Sequence, residues 1–347
     1  AVGKILPLSD IVSDFTIKSS GAFADIPESI LKANSIPISS YVNTDNVIGP
    51  YIYNENIVYT FKYNSATNYN SAGQSSYQLT FLKDTICDIL IVGGGGGAAS
   101  GGGGGAQFLY QTAISLTGQY TILVGDGGNP GSGGTAGTAG SQGNKSIIRQ
   151  GSTDLYISRG GGGGGRNDNI APQHTVGDVA SFGGSGHDYN TPQSGTNYTS
   201  AYGNKGGNAL ATGSASGGGG GGSSQAGQNA TVVSGLSSQS SATTYYRGGT
   251  GGEGTYFAIT DSYFCGGGTG GANTNNGGST LSPIKAFGGG GSGALAPGGN
   301  GSSGISGTGG GGGGGDWEAS GAKGGSGIVI IKFSRYDTTP LYPNYSL

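Results

Sequence analysis

The side chains best suited to contacting a ligand are aromatic and lie among blocks of glycine. Tyr189, Tyr198, Tyr202, Tyr245, Tyr246, Tyr256, Phe257, Tyr263 and Phe264 occupy the connectors between blocks, and Trp317 follows the longest glycine run. Tyr and Trp give large contact areas at low entropic cost and keep a polar handle. Their ring faces also stack on sugars, so a polysaccharide or an outer-surface protein is the expected target. The competing reading is that these rings plug the ends and flanks of whatever the glycines build. As a group they still stand out, because glycine brings no side chain to recognition.

Patterns for bond-making chemistry fall short. Val92 to Gly105 satisfies G-x-G-x-x-G after an apolar segment, but a dinucleotide site needs a helix next and an acidic residue about 20 positions on. More glycine and another β-like segment follow instead. The "GNKS" at Lys145 lacks P-loop spacing, and no G-x-S-x-G nucleophile elbow occurs. His174 and His187 are the only histidines. Without an H-x-x-x-H or C-x-x-C partner they read as solvated loop residues, not metal ligands. Asp84, Asp88 and Asp126 read as turn formers. The expectation is therefore a non-enzymatic protein with no cofactor and no metal.

Composition narrows the class. Glycine supplies 81 of 347 residues, against a usual share of roughly 7%. Charged residues make up only 10%, while the chain carries 20 Tyr and 10 Phe. Disordered chains show the reverse balance, high charge and few aromatics. Collagen needs a strict Gly-X-Y period and more proline than the 11 present. A net charge of −3 without a basic stripe disfavours nucleic acid. No run of 18 apolar residues exists, so membrane insertion is not expected. Cys87 and Cys265 lie far apart and read as separate thiols.

The elements that would position the aromatics fall into zones. Residues 1–50 have ordinary composition. Ser9 or Asp10 can cap a short helix through Phe15 and Ile17, and Pro27 to Leu31 opens a second turn. The "IPISSY" segment should run extended after Pro37. Residues 51–159 read as β. "NIVYTFKY", "YQLTFL" and "ICDILIV" are strands, "AQFLYQTAISL" and "QYTILVG" a hairpin turning at Thr117-Gly118, and "KSIIRQG" with "DLYISRG" a second hairpin. "GIVIIKF", within 326–337, is too apolar to stand alone and should rejoin that sheet. Residues 160–325 then form one inserted zone with both ends anchored, too long for a plain loop. Residues 338–347 are a tail.

Blocks of glycine can build polyglycine II. An extended three-fold helix rises about 3.1 Å per residue and makes no internal hydrogen bonds, but several packed side by side can bond laterally. Each such bond contributes only about 1 kcal/mol net. Ordering a glycine costs about 0.5–1 kcal/mol more than ordering alanine. A bundle therefore needs many blocks and tethered ends. The alternative is a flexible linker, against which "TYFAITDSYFCGG" stands as unusual content.

The ordered elements "DILIVGGGGGAASGGGGGAQFLY", "LTGQYTILVGDGG" and the closing "GGSGIVIIKF" resemble the glycine-rich domains of phage tail-fibre adhesins and related giant-virus proteins. They also resemble the extracellular glycine-rich region of anaplastic lymphoma kinase-type receptors. The resemblance spans about residues 56–336. It implies a mainly β fold, a tumour-necrosis-factor-like antiparallel β-sandwich carrying an inserted bundle of polyglycine-II helices. "LPLSDIVSDF" and "IPISSYV" look like a segment of phage and algal-virus structural proteins. Together they imply a virion surface or tail-fibre protein. Its N-terminal segment would join other virion proteins, its sandwich could form a trimer, and its loops would meet a host cell-surface glycan or protein. The rival expectation is a secreted structural protein of an extracellular matrix, sheath or filament.

Overall fold

The computed structural model describes residues 38–41, 47–53, 56–65, 69–70, 73–132, 137–166, 179–186, 202–210, 216–233, 245–272, 279–280, 286–294, 298–316 and 319–334. The two helical turns expected within residues 1–37 lie outside them. The described chain is mainly β, with antiparallel pairing dominant. No helix among the described residues is long and apolar enough to cross a membrane.

Nine strands form the main sheet. They are β1 (Ile38–Tyr41), β2 (Val47–Tyr53), β3 (Asn56–Lys62), β4 (Tyr69–Asn70), β5 (Gln74–Val92), β6 (Phe108–Gly125), β7 (Ser146–Gln150), β8 (Thr153–Ser158) and the late β14 (Ile328–Ser334). Five short strands lie between β8 and β14: β9 (Thr231–Val233), β10 (Tyr245–Arg247), β11 (Thr255–Phe257), β12 (Ser262–Phe264) and β13 (Ser279–Thr280). β14 sits between β3 and β5, pairing antiparallel with both. The sequence predicts its return on apolarity alone. Its residues alternate between two buried faces, which is why "GIVIIKF" and "ICDILIV" are almost unbroken runs. Val329, Ile331 and Phe333 join Ile57, Tyr59, Phe61, Ile89 and Ile91 in one core. Ile328 and Ile330 join Val58, Leu90 and Val92 in a second.

Three sequence expectations are corrected. "YQLTFL" and "ICDILIV" are one 19-residue strand, β5, and the segments flanking Thr117-Gly118 are one 18-residue strand, β6. Gly118 does adopt positive φ, +79°, yet the chain does not reverse there. The dipeptide instead faces a bulge: Phe81 pairs with Gly118 and Thr85 with Leu116, so three residues of β5 oppose Thr117 alone. A bulge bends a ribbon and sharpens its twist. Beyond it Phe81 meets Phe333 at 6.4 Å and Tyr77 meets Phe61 at 5.5 Å between ring centroids, so both halves of the ribbon enclose the first core. Asp88 is likewise no turn former. It lies inside β5, pairs with Lys332 at 2.9 Å and accepts the Ala113 N–H at 3.1 Å.

At one end of the sheet the strands run directly into extended glycine segments. β5 continues into 93–98, which reverses into 101–106 and enters β6; β6 continues into 126–131; 139–144 enters β7; β8 continues into 160–166; 319–327 enters β14. The extended segments thus begin well before residue 160. At the changeover the Ser158 and Ser146 hydroxyls accept the Gly93 and Gly125 N–H groups, each at 3.0 Å.

The glycine segments bond to one another with a period of three. Gly94 and Gly97 donate to Asn144 and Ser141, Gly95 and Ala98 to Gly325 and Ala322, and Gly96 and Ala99 to Gly104 and Gly101. Every third N–H thus reaches the same neighbour. The return segment repeats the pattern, with Gly101 and Gly104 on 160–166, Gly102 and Gly105 on 216–222, and Gly103 and Ala106 on 309–316. The glycines of 93–97, 101–105, 160–165 and 217–222 are not at positive φ. What they supply is space: a Cβ on Gly103 would lie 2.1 Å from the Gly96 carbonyl oxygen, and one on Gly97 2.0 Å from that of Asn129.

Candidate functional site

The connector "TYFAITDSYF" folds as a two-stranded hairpin. Thr255, Tyr256 and Phe257 of β11 pair with Phe264, Tyr263 and Ser262 of β12. Alternation sends its aromatics to opposite faces. Phe257 and Phe264 turn inward with Ile259 and pack on Val58 of β3, Leu90 and Val92 of β5, and Ile328 and Ile330 of β14, the face of the second core. Phe108 and Tyr110 of β6 meet Phe257 at 4.7 and 5.6 Å between centroids. The hairpin is thereby clamped at the junction of sheet and glycine segments.

Tyr256 and Tyr263 face outward, 46% and 45% exposed, with ring centroids 5.4 Å apart. Phe287, 66% exposed, stands 5.2 Å from Tyr263 at an interplanar angle of 30°. Two carboxylates fix this group. Asp261, at φ +53° in the hairpin turn, accepts the Tyr256 hydroxyl at 2.7 Å, and Glu253 accepts the Phe287 N–H at 2.6 Å. The result is three solvent-facing rings on a rigid base, rimmed by acceptors. Such a surface can stack on a ring-shaped ligand and take hydrogen bonds from its hydroxyls.

The other aromatics named from the sequence are dispersed. Tyr202 is exposed, but the Arg159 guanidinium lies 3.9 Å above its ring and occupies that face. Tyr246 is half-buried in β10, which pairs with β9 and β13. Tyr245 shares that strand, and its side chain lies outside the described residues, as do Tyr189, Tyr198, Trp317, His174 and His187. Phe287 and Tyr110 were missed by sequence reasoning. Phe287 directly precedes a glycine block, as Trp317 directly follows its Asp after one, and that adjacency was the available signal. Tyr110 sits in a strand, where only its pairing reveals it.

Reactive groups are scarce. Cys87 and Cys265 are both buried, in separate cores. Burial pushes the Cys265 thiol up, so it stays protonated. Among the described residues no cluster of His, Cys, Asp and Glu could hold a metal ion.

A family described as a glycine-rich domain matches residues 70–334. That span runs from β4 to the last residue of β14, so it includes the closing strand. Comparison with curated proteins finds no match.

Proposed function

The chain belongs to this glycine-rich domain family, and on that premise we propose that it is a non-enzymatic virion surface or tail-fibre protein, a host-receptor-binding adhesin. In this reading a tumour-necrosis-factor-like β-sandwich roots a bundle of polyglycine-II helices, and the bundle displays binding side chains. Lateral bonding with a period of three supports the polyglycine-II assignment, since a three-fold helix presents every third residue to the same neighbour. Enclosure of one aromatic core by both halves of the β5–β6 ribbon supports the sandwich.

The observation that carries the functional reading is the division of labour between backbone and side chains. The glycine segments spend their N–H and C=O groups on one another, and at most of their glycines the packing leaves no room for a Cβ. Recognition therefore falls to connectors such as the β11–β12 hairpin. The partner is a host cell-surface glycan or protein. Residues 1–50 attach to other virion proteins, and the sandwich can assemble as a trimer. Immunogold electron microscopy of the source material, with antibody against the glycine-rich zone, tests this. Label on particle surfaces or fibres is expected. Label on cell-free filaments or sheath, with particles bare, overturns it in favour of a matrix protein.

A further inference from the structure

We propose that the outward face of the β11–β12 hairpin, with Phe287, is a binding platform for neutral, pyranose-containing polysaccharide, located beside the long strands and not at the remote end of the glycine bundle.

Several independent features converge on this face. Tyr256, Tyr263 and Phe287 are exposed large aromatics, with the Tyr263 ring in contact with both of the others. Contiguous exposed apolar surface of this kind marks an interaction site more often than scattered single residues do. Ile305, 61% exposed, is tied to the same margin, because its N–H donates to the carbonyl of Gly289, two residues past Phe287. The platform is also pre-organised. Phe257 and Phe264 lock the hairpin's inner face into a core, and Asp261 holds the Tyr256 hydroxyl. Little rotamer entropy is left to lose on binding.

The choice of ligand follows from the polar rim. The carboxylates nearest the rings, Asp261 and Glu253, accept hydrogen bonds from Tyr256 and Phe287 and keep free lone pairs for further donors. Sugar hydroxyls are such donors, and the apolar C–H face of a pyranose suits a ring platform. Two negative charges at the rim repel uronates and sulfated chains, which selects neutral sugars. A purely apolar partner surface would leave both carboxylates desolvated without gain.

This inference rests on the adhesin reading but fails separately from it. The test is affinity electrophoresis of the full chain in gels containing galactomannan, dextran or, for contrast, alginate. Retardation by a neutral polysaccharide is expected, with alginate inert. Tyr263→Ala/Phe287→Ala should weaken it at least tenfold, and Phe287→Ala alone, at a largely exposed position, by about threefold with an unchanged unfolding midpoint. Equal retardation of wild type and both variants overturns the platform, as does retardation by no neutral polysaccharide. Concentration-dependent self-association that the double substitution abolishes, without sugar binding, also overturns it and assigns the face to a second copy of the chain. None of these outcomes alters where immunogold label falls, so the virion assignment stands or falls on its own.

Discussion

Three consecutive glycines should respond differently to the same methyl group. In segment 160–166, a Cβ on Gly161 would lie 2.1 Å from the Gly104 carbonyl oxygen, one on Gly163 would lie 1.8 Å from that of Gly140, and one on Gly162 would meet nothing nearer than the Ser181 carbonyl at 3.3 Å. Non-bonded contacts settle near about 3.5 Å. Alanine at 161 or 163 must therefore push backbones apart by roughly 1.4–1.7 Å, and alanine at 162 by only about 0.2 Å. Overpacking costs about 1–3 kcal/mol. Displacing the segment also strains lateral bonds, such as Gly161 to Gly94 and Gly164 to Gly97, worth about 1 kcal/mol each. Against this, Gly→Ala restricts the unfolded chain and returns about 0.4–1 kcal/mol. The net expectation is a loss of about 2–4 kcal/mol for Gly161→Ala and Gly163→Ala, and within about 1 kcal/mol of zero for Gly162→Ala. At about 2 °C per kcal/mol for a domain this large, calorimetry should show midpoints lowered by about 4–8 °C at 161 and 163 and nearly unchanged at 162. Equal effects at all three positions would refute the packing argument. So would three negligible effects, the signature of a solvated coil.

Other substitutions probe the anchoring sheet and the hairpin. Ile331→Ala, at a position 1% exposed in the interior strand β14, should cost about 2–5 kcal/mol; urea unfolding should remain a single transition for sheet and glycine segments together. Phe257→Ala should cost about 3–5 kcal/mol, whereas Tyr256→Ala, one residue away but facing solvent, should stay within about 1 kcal/mol in the same assay. Burial raises the Tyr77 phenol from an ordinary 10.0 to about 12. Because the folded state then holds its proton where the unfolded state loses it, stability is full below pH 10 and declines as pH rises from 10 to 12. Tyr77→Phe should flatten that decline in thermal midpoints measured across this range.

Much of the architecture was legible because apolarity and glycine content are strong signals. "GIVIIKF" could not be left in water, and its place between β3 and β5 satisfies both its faces. Blocks of glycine predicted extended segments bonded laterally side by side, and the period-three bonding fits that expectation. Turn chemistry misled at Thr117-Gly118, because a glycine at positive φ serves a bulge as well as a hairpin. β2 straddles the zone boundary at residue 50 and carries Pro50, a residue that disfavours strands. It is tolerated at the sheet's edge, where the register shifts between Ile48 and Tyr51. At the candidate site the sequence gathered the aromatics but not their sides. Tyr256 and Phe257 are neighbours in sequence, yet one faces solvent and the other the core, and the direction depends on which strands the hairpin lies against.

Amide hydrogen exchange, resolved by residue, tests the central claim most directly. A laterally bonded glycine bundle rooted in the sheet should protect the amides of Gly102 to Gly105 nearly as well as those of Ile89 to Val92, because both sets are buried and open in the same cooperative event. Exchange of those glycines at the rates of an unprotected chain, alongside a protected β5, would contradict it and leave the glycine blocks as linkers.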